Sequence, residues 1–283
     1  VMGVTEAPAA LRLPAYAFDQ TSLWVNPERS VYVENTRSPA PAAYIATESA
    51  TGTESSDKRA GKSSPGGLVR FAERAGKEPS IKAYCLPFAS GSSLLFAPWA
   101  EQTDEVIEVV ALEMPGRGGL SDEKMPENDA EDAALIDNFC KAILADLRGS
   151  QYVLVGFSMG GNISAELAMR LAAKGAPAPL AIYIAGRKPP AAHPEAVKAI
   201  NMSSEELAEY AFAPPEVRQS SEFLEFAVPR LRSDLELDAR IERRLSKAQL
   251  SGAGLPAGVG LELFCGTSDP IAPWKEAPGW QRF

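Results

Sequence analysis

From residue 81 onward the chain alternates short apolar runs with helical patterns, and this alternation restricts the fold more than any other feature. Five runs read as strands, at 82–86, 106–112, 152–155, 180–185 and 259–265. Between them, residues 129–147 place Ala133, Ile136, Phe139, Cys140, Ile143, Leu144 and Leu147 at helical spacing. Residues 162–174 are rich in Ala, Leu and Met and stop at Gly175, a residue suited to the left-handed position that ends a helix. Short strands that are apolar throughout are buried on both faces. With helices between them, they imply a mostly parallel central sheet covered on both sides, the doubly wound α/β class. Residues 187–257 interrupt the rhythm with helical segments at 203–211, 222–231 and 234–250, the first opening on a Ser-Ser-Glu-Glu capping pattern. An insertion of this size at the ends of core strands is expected to act as a lid over a ligand site. The alternative is a helical subdomain that only decorates the sheet.

The residues before 81 have another character. Residues 36–67 are rich in Thr, Ser, Ala, Pro and Gly with almost no large apolar side chains, which reads as a flexible linker within 33–80. Residues 1–80 balance nine Lys and Arg against nine Asp and Glu, so the whole formal charge of -9 falls on residues 81–283. That acidic balance argues against a nucleic-acid surface. No run of about 18 apolar residues exists to span a membrane, and residues 1–13 lack the pattern of a secretory signal. The three cysteines, Cys85, Cys140 and Cys265, lie far apart, and His193 is the single histidine. Paired ligand spacings for a metal are therefore missing, and sparse, odd cysteines point to a cytoplasmic or other reducing compartment.

One motif carries chemistry. Gly156-Phe157-Ser158-Met159-Gly160 reads G-x-S-x-G, with a strand before it and a helix after it. In that setting the pattern describes a nucleophile elbow, a sharp turn that lifts a serine hydroxyl above the sheet over a helix N-terminus. Flanking side chains would clash there, hence the glycines; the alternative is a glycine-rich turn that only packs. A serine hydroxyl needs a base, and the base needs an orienting carboxylate, in the chain order Ser, acid, His. The acid candidate is Asp269, in the loop after the last strand. The alternative is an aspartate that caps a turn before Pro270. Two backbone N–H groups are needed to hold an oxyanion: one from Met159, the other from the loop around Phe88, Ala89 and Ser90. No histidine lies between Asp269 and Phe283, so the sequence is either cut short of its base or catalytically incomplete. His193 precedes Asp269 by 76 residues and reads as a surface loop residue, a catalytic role for it requiring a rearranged triad.

From about residue 81 to the end, the sequence resembles a type II thioesterase of polyketide and nonribosomal peptide synthesis, within the α/β-hydrolase superfamily. The resemblance rests on Leu86-Pro87-Phe88-Ala89-Ser90-Gly91-Ser92, on Leu112-Glu113-Met114-Pro115-Gly116-Arg117-Gly118, on the elbow with Gly161, on Pro229-Arg230-Leu231-Arg232-Ser233-Asp234, and on Gly266-Thr267-Ser268-Asp269 with Trp280. It implies an α/β-hydrolase fold with a helical lid, Ser158 as nucleophile, Asp269 as orienting acid, and Ala89 and Met159 as the oxyanion hole. The family's Gly-Gly-His segment after the acid loop has no counterpart here, and Ser90 stands where the family usually has glycine. Separately, Leu13-Pro14-Ala15-Tyr16-Ala17-Phe18 with Trp24 resembles the linker that follows an acyltransferase in modular polyketide synthases. The expected organisation is a linker segment at 1–32, a flexible stretch at 33–80 and a thioesterase domain at 81–283.

The implied activity is hydrolysis of acyl thioesters on the phosphopantetheine arm of an acyl carrier protein, with release or editing of polyketide or fatty acyl chains. The implied partners are that carrier and other synthase domains, the ketosynthase and acyltransferase. No metal or redox cofactor is implied. Two other readings stay open: a catalytically incomplete hydrolase-fold docking domain, and a general serine esterase. The Arg-rich stretch Arg230, Arg232, Arg240, Arg243, Arg244 and Lys247 also holds Asp234, Glu236, Asp238 and Glu242, and reads as a mixed, solvated helix face rather than a carrier-binding one.

Overall fold

The computed structural model describes residues 62–64, 66–71, 78–103, 105–190, 201–210 and 223–283. Seven strands form one sheet: β1 (Lys62–Ser64), β2 (Leu68–Arg70), β3 (Ile81–Leu86), β4 (Ile107–Leu112), β5 (Gln151–Phe157), β6 (Ala181–Ala185) and β7 (Gly260–Phe264), in the order β1-β2-β4-β3-β5-β6-β7. The five strands expected from the sequence are the five parallel ones. Successive residues divide between two cores, as a pleat of period two requires. Tyr84, Leu86, Tyr152, Leu154, Ile182 and Ile184 face one core; Ala83, Cys85, Val153 and Val155 face the other, with Phe96 and Trp99. Both faces are dry, which explains why these strands read as continuous apolar runs.

Two elements differ from expectation. Residues 62–70, assigned to the flexible stretch, supply the antiparallel strands β1 and β2, which join the sheet at Leu68 opposite Leu112. The hairpin turns at Gly66 and Gly67, both at positive φ. Three-residue strands are too short to show alternation, so the composition of the surrounding stretch hid them. The lid helices expected at 222–231 and 234–250 are one helix, Val228–Leu250, entered through a π turn at Phe223–Ala227. Ser233 does not break it, because its hydroxyl donates back to the Pro229 carbonyl one turn earlier (3.2 Å). Residues 1–61, with the proposed linker segment at 1–32, lie outside the described residues.

Among the described residues, the further α-helices are α1 (Ala97–Gln102) after β3, α2 (Asp129–Leu147) after β4, α3 (Met159–Ala173) after β5 and α4 (Ser204–Tyr210) within the insertion; the long helix is α5. Helix α2 matches its expected limits because its ends are chemically marked. The Asn128 side chain accepts from the amides of Ala130 and Glu131, and Asp129, Glu131 and Asp132 place negative charge in the first turn. The capping pattern before α4 also forms: Ser203 and Glu206 exchange side-chain and backbone hydrogen bonds. Among the described residues, no helix is long and apolar enough to cross a membrane.

Candidate active site

Ser158 lies between β5 and α3 with φ 47° and ψ -110°, a conformation that L-residues avoid. Its amide donates to the Ala185 carbonyl of β6 (2.8 Å), and its carbonyl accepts from Gly161 (2.9 Å). The turn is over-determined by its glycines. A Cβ on Gly156 would lie 2.5 Å from the Gly161 nitrogen and closer still to the Gly160 carbonyl. A Cβ on Gly160 would lie 2.8 Å from the Pro87 oxygen and closer still to that of Leu86. No side chain fits at either place, so the elbow of β5 is seated directly on the loop that follows β3. The serine itself is only partly buried. Met159 is the first residue of α3, where the N–H has no carbonyl one turn earlier to bond.

The loop after β3 forms a tight turn, closed by the Gly91 N–H on the Phe88 carbonyl (2.8 Å). That bond fixes the Phe88–Ala89 peptide and therefore the direction of the Ala89 N–H, which makes no backbone hydrogen bond among the described residues. Ser90 adopts φ 70°. The residue that departs from the family's glycine keeps a glycine-like backbone. Its N–H donates to Asp234 Oδ2 on α5 (2.5 Å), which also takes the Arg117 guanidinium.

Asp269 lies beyond β7, on the same end of the sheet as Ser158. Phe157, Ala185 and Phe264 pair in register across β5, β6 and β7, so the loop carrying Asp269 leaves the sheet two strands from the elbow. Its Oδ1 accepts from the amides of Ile271 (2.8 Å) and Ala272 (3.0 Å). The turn-capping reading therefore describes one oxygen. The other, Oδ2, faces Gly186 at the end of β6. Sheet topology thus gathers Ser158, Met159, Ala89 and Asp269 at one edge. His193 lies outside the described residues.

The insertion reaches this edge through charge. Arg187, next to Gly186, donates to Asp238 (2.6 Å) and Glu242 (2.8 Å) of α5, and Asn162 of α3 donates to Asp238 (2.9 Å). Further along, Arg240 grips Asp132 and the Pro126 carbonyl, while Arg244 bridges Asp129, Asp132 and Glu166. The reading of this stretch as a solvated face holds for Arg243 and Lys247, which are exposed, and is corrected for Arg240 and Arg244: the Arg240 side chain is 12% exposed and its partner Asp132 is fully buried. Charges spaced one turn apart on α5 meet opposite charges on α2 and α3, which single-helix periodicity cannot show. Arg117 and Asp234 were visible only as parts of quoted motifs, and Arg187 carried no sequence signal. Trp280, almost fully buried, donates its indole N–H to the Arg187 carbonyl (3.1 Å) and holds that residue from the other side.

Residues 82–282 match the family described as "Thioesterase domain". The chain is 28% identical over 211 residues to "S-acyl fatty acid synthase thioesterase, medium chain" of Homo sapiens, covering 70% of this chain and 75% of that one. It is 25% identical over 214 residues to "Thioesterase PikA5" of Streptomyces venezuelae, covering 72% and 69%. Among solved structures, the fold is similar to "YbtT - Type II thioesterase from Yersiniabactin NRPS/PKS biosynthetic pathway", with a TM-score of 0.62 at 24% identity over 76% of this chain and 84% of that one.

Proposed function

The chain belongs to the thioesterase domain family, and from this we propose that it hydrolyses acyl thioesters presented on the phosphopantetheine arm of an acyl carrier protein, through an acyl-serine intermediate on Ser158. The observation that carries the reading is the strained, positive-φ backbone of Ser158, held against the β3 loop by glycines that admit no side chain. Strain of about 1–3 kcal/mol persists only where the surroundings enforce it, and it is found at reacting groups. The Ser158 hydroxyl attacks the thioester carbonyl as its proton passes to a base. The Met159 and Ala89 amides hold the oxyanion, and the C–S bond breaks with return of the proton to the departing thiolate. Water, deprotonated by the same base, then attacks the acyl-serine and frees the acid and the hydroxyl. Asp269 has one carboxylate oxygen outside its turn, which suits it to orienting an imidazole base. The relative named as an S-acyl fatty acid synthase thioesterase supports an acyl thioester held on a synthase as the substrate. The linker-like segment at 1–32 favours release from a polyketide synthase.

A second reading is a hydrolase-fold domain that docks without turnover: His193, the one histidine of the sequence, precedes Asp269 instead of following it. Incubation with acyl-phosphopantetheinyl carrier protein, with free acid measured by mass spectrometry, separates the two. Acid release that disappears in Ser158→Ala supports the thioesterase. Carrier binding without release supports the docking domain. Preference for aryl esters over the carrier substrate supports a general esterase.

A further inference from the structure

The turn that follows β3 is held in its less favoured form by a residue of the insertion. A four-residue turn closed by Gly91 N–H on the Phe88 carbonyl has two common forms, which differ by a flip of its central peptide, here Ala89–Ser90. In type I the third residue has negative φ and suits serine. In type II it has positive φ and suits glycine. Ser90 is at φ 70°, the type II sign, although it carries a side chain. The compensating contact is the Ser90 N–H on Asp234 Oδ2 at 2.5 Å. A flip would withdraw that N–H and turn the Ala89 carbonyl toward the carboxylate, so Asp234 both attracts the observed form and repels the other. Asp234 is fully buried, which pushes its carboxyl above the usual range, and the almost fully buried Arg117 beside it and the Ser90 N–H oppose that rise.

We propose that Asp234 of α5 is a positioning residue that selects the type II form of the Phe88–Gly91 turn. The flip changes ψ of Ala89 by about 150° and exchanges the Ser90 N–H for the Ala89 carbonyl, so the insertion helix decides through one carboxylate which of these groups faces it. The Ala89 N–H lies on the neighbouring Phe88–Ala89 peptide, which the Gly91 bond holds in either form, so the selection of the turn form does not rest on Ala89 being an oxyanion donor.

Removing Asp234 alone would strand Arg117, so the test uses Arg117→Met/Asp234→Ala, with and without Ser90→Gly, in the full chain. In crystal structures, residue 90 should move to negative φ in the pair variant and return to positive φ when it is glycine. The rate at which an active-site phosphonate labels Ser158 should stay within about threefold in both variants, because the Ala89 N–H lies outside the flipped peptide. A helix-anchoring role alone would leave residue 90 at positive φ in the pair variant. Ser90 remaining at positive φ without Asp234 overturns the proposal. If φ responds as expected while the unmodified chain never labels, the turn selection stands and the thioesterase reading falls. Should the pair variant not fold, Ser90→Gly alone decides: relief of an imposed left-handed serine should raise the folded-to-unfolded ratio about threefold, and a decrease overturns the proposal.

Discussion

Gly160→Ala probes the contact on which the candidate site depends. The new methyl would sit 2.8 Å from the Pro87 carbonyl oxygen and nearer still to that of Leu86. Both are backbone atoms at the end of a central strand, where Leu86 pairs with Gly156. Neither can swing away as a flexible side chain would. The elbow and the β3 loop must therefore separate by about 1 Å to restore van der Waals spacing. Overpacking against backbone in a full core costs about 3 kcal/mol. The same displacement moves Ala89 from Ser158, and misplacement of about 1 Å can cost roughly 10²-fold in rate. Urea unfolding gives the first quantity, and phosphonate labelling of Ser158 gives the second. A variant that keeps wild-type stability and labelling would show that the seating of elbow on loop is not tight, and the argument from the glycines would fail.

Three other outcomes are expected. Burial pushes the Glu113 carboxyl above the usual range, opposed by hydrogen bonds from Ser93 and by Arg117. The folded chain then keeps this proton to higher pH than the unfolded one, so the stability it contributes is full below about 4.5 and is lost as pH rises through the folded value. Glu113→Gln should flatten that decline in denaturant unfolding measured from pH 4.5 to 7, and a steeper decline would contradict it. Trp280→Ala removes a buried indole and its bond to the Arg187 carbonyl, and should cost about 3–5 kcal/mol in urea unfolding; a loss below about 1 kcal/mol would contradict that packing. Cys85, Cys140 and Cys265 are all buried, and burial raises their thiol pKa values, to about 11 for Cys140 and Cys265. A disulfide reagent at pH 8 should leave the native chain unmodified and titrate three thiols after unfolding; rapid native reaction would contradict this.

What could be read from the sequence was what local chemistry encodes. The five parallel strands show as apolar runs because both faces of the sheet are dry. Helix α2 is bounded by a cap at Asn128 that its own residues complete. The elbow was legible because Gly156 and Gly160 meet backbone, so the motif states a steric requirement. Asp269 was legible as a loop acid, though not the division of its oxygens, one capping Ile271 and Ala272 and the other turned to Gly186. The rest depends on chain segments far apart in sequence. Arg187 meets Asp238 and Glu242 more than fifty positions later, and Arg117 meets Asp234 across 117. No spacing rule covers such pairs, and a charged helix read alone looks solvated when its charges face other helices. Strands β1 and β2 were lost for the converse reason, three residues being too few to carry a period.

The most direct test of the central claim is covalent. Incubating the full chain with an acyl thioester or a fluorophosphonate and mapping the adduct by peptide mass spectrometry should place one acyl or phosphonyl group on Ser158, and none after Ser158→Ala. An unmodified Ser158 in a folded chain, or an adduct that persists in Ser158→Ala, would contradict the account.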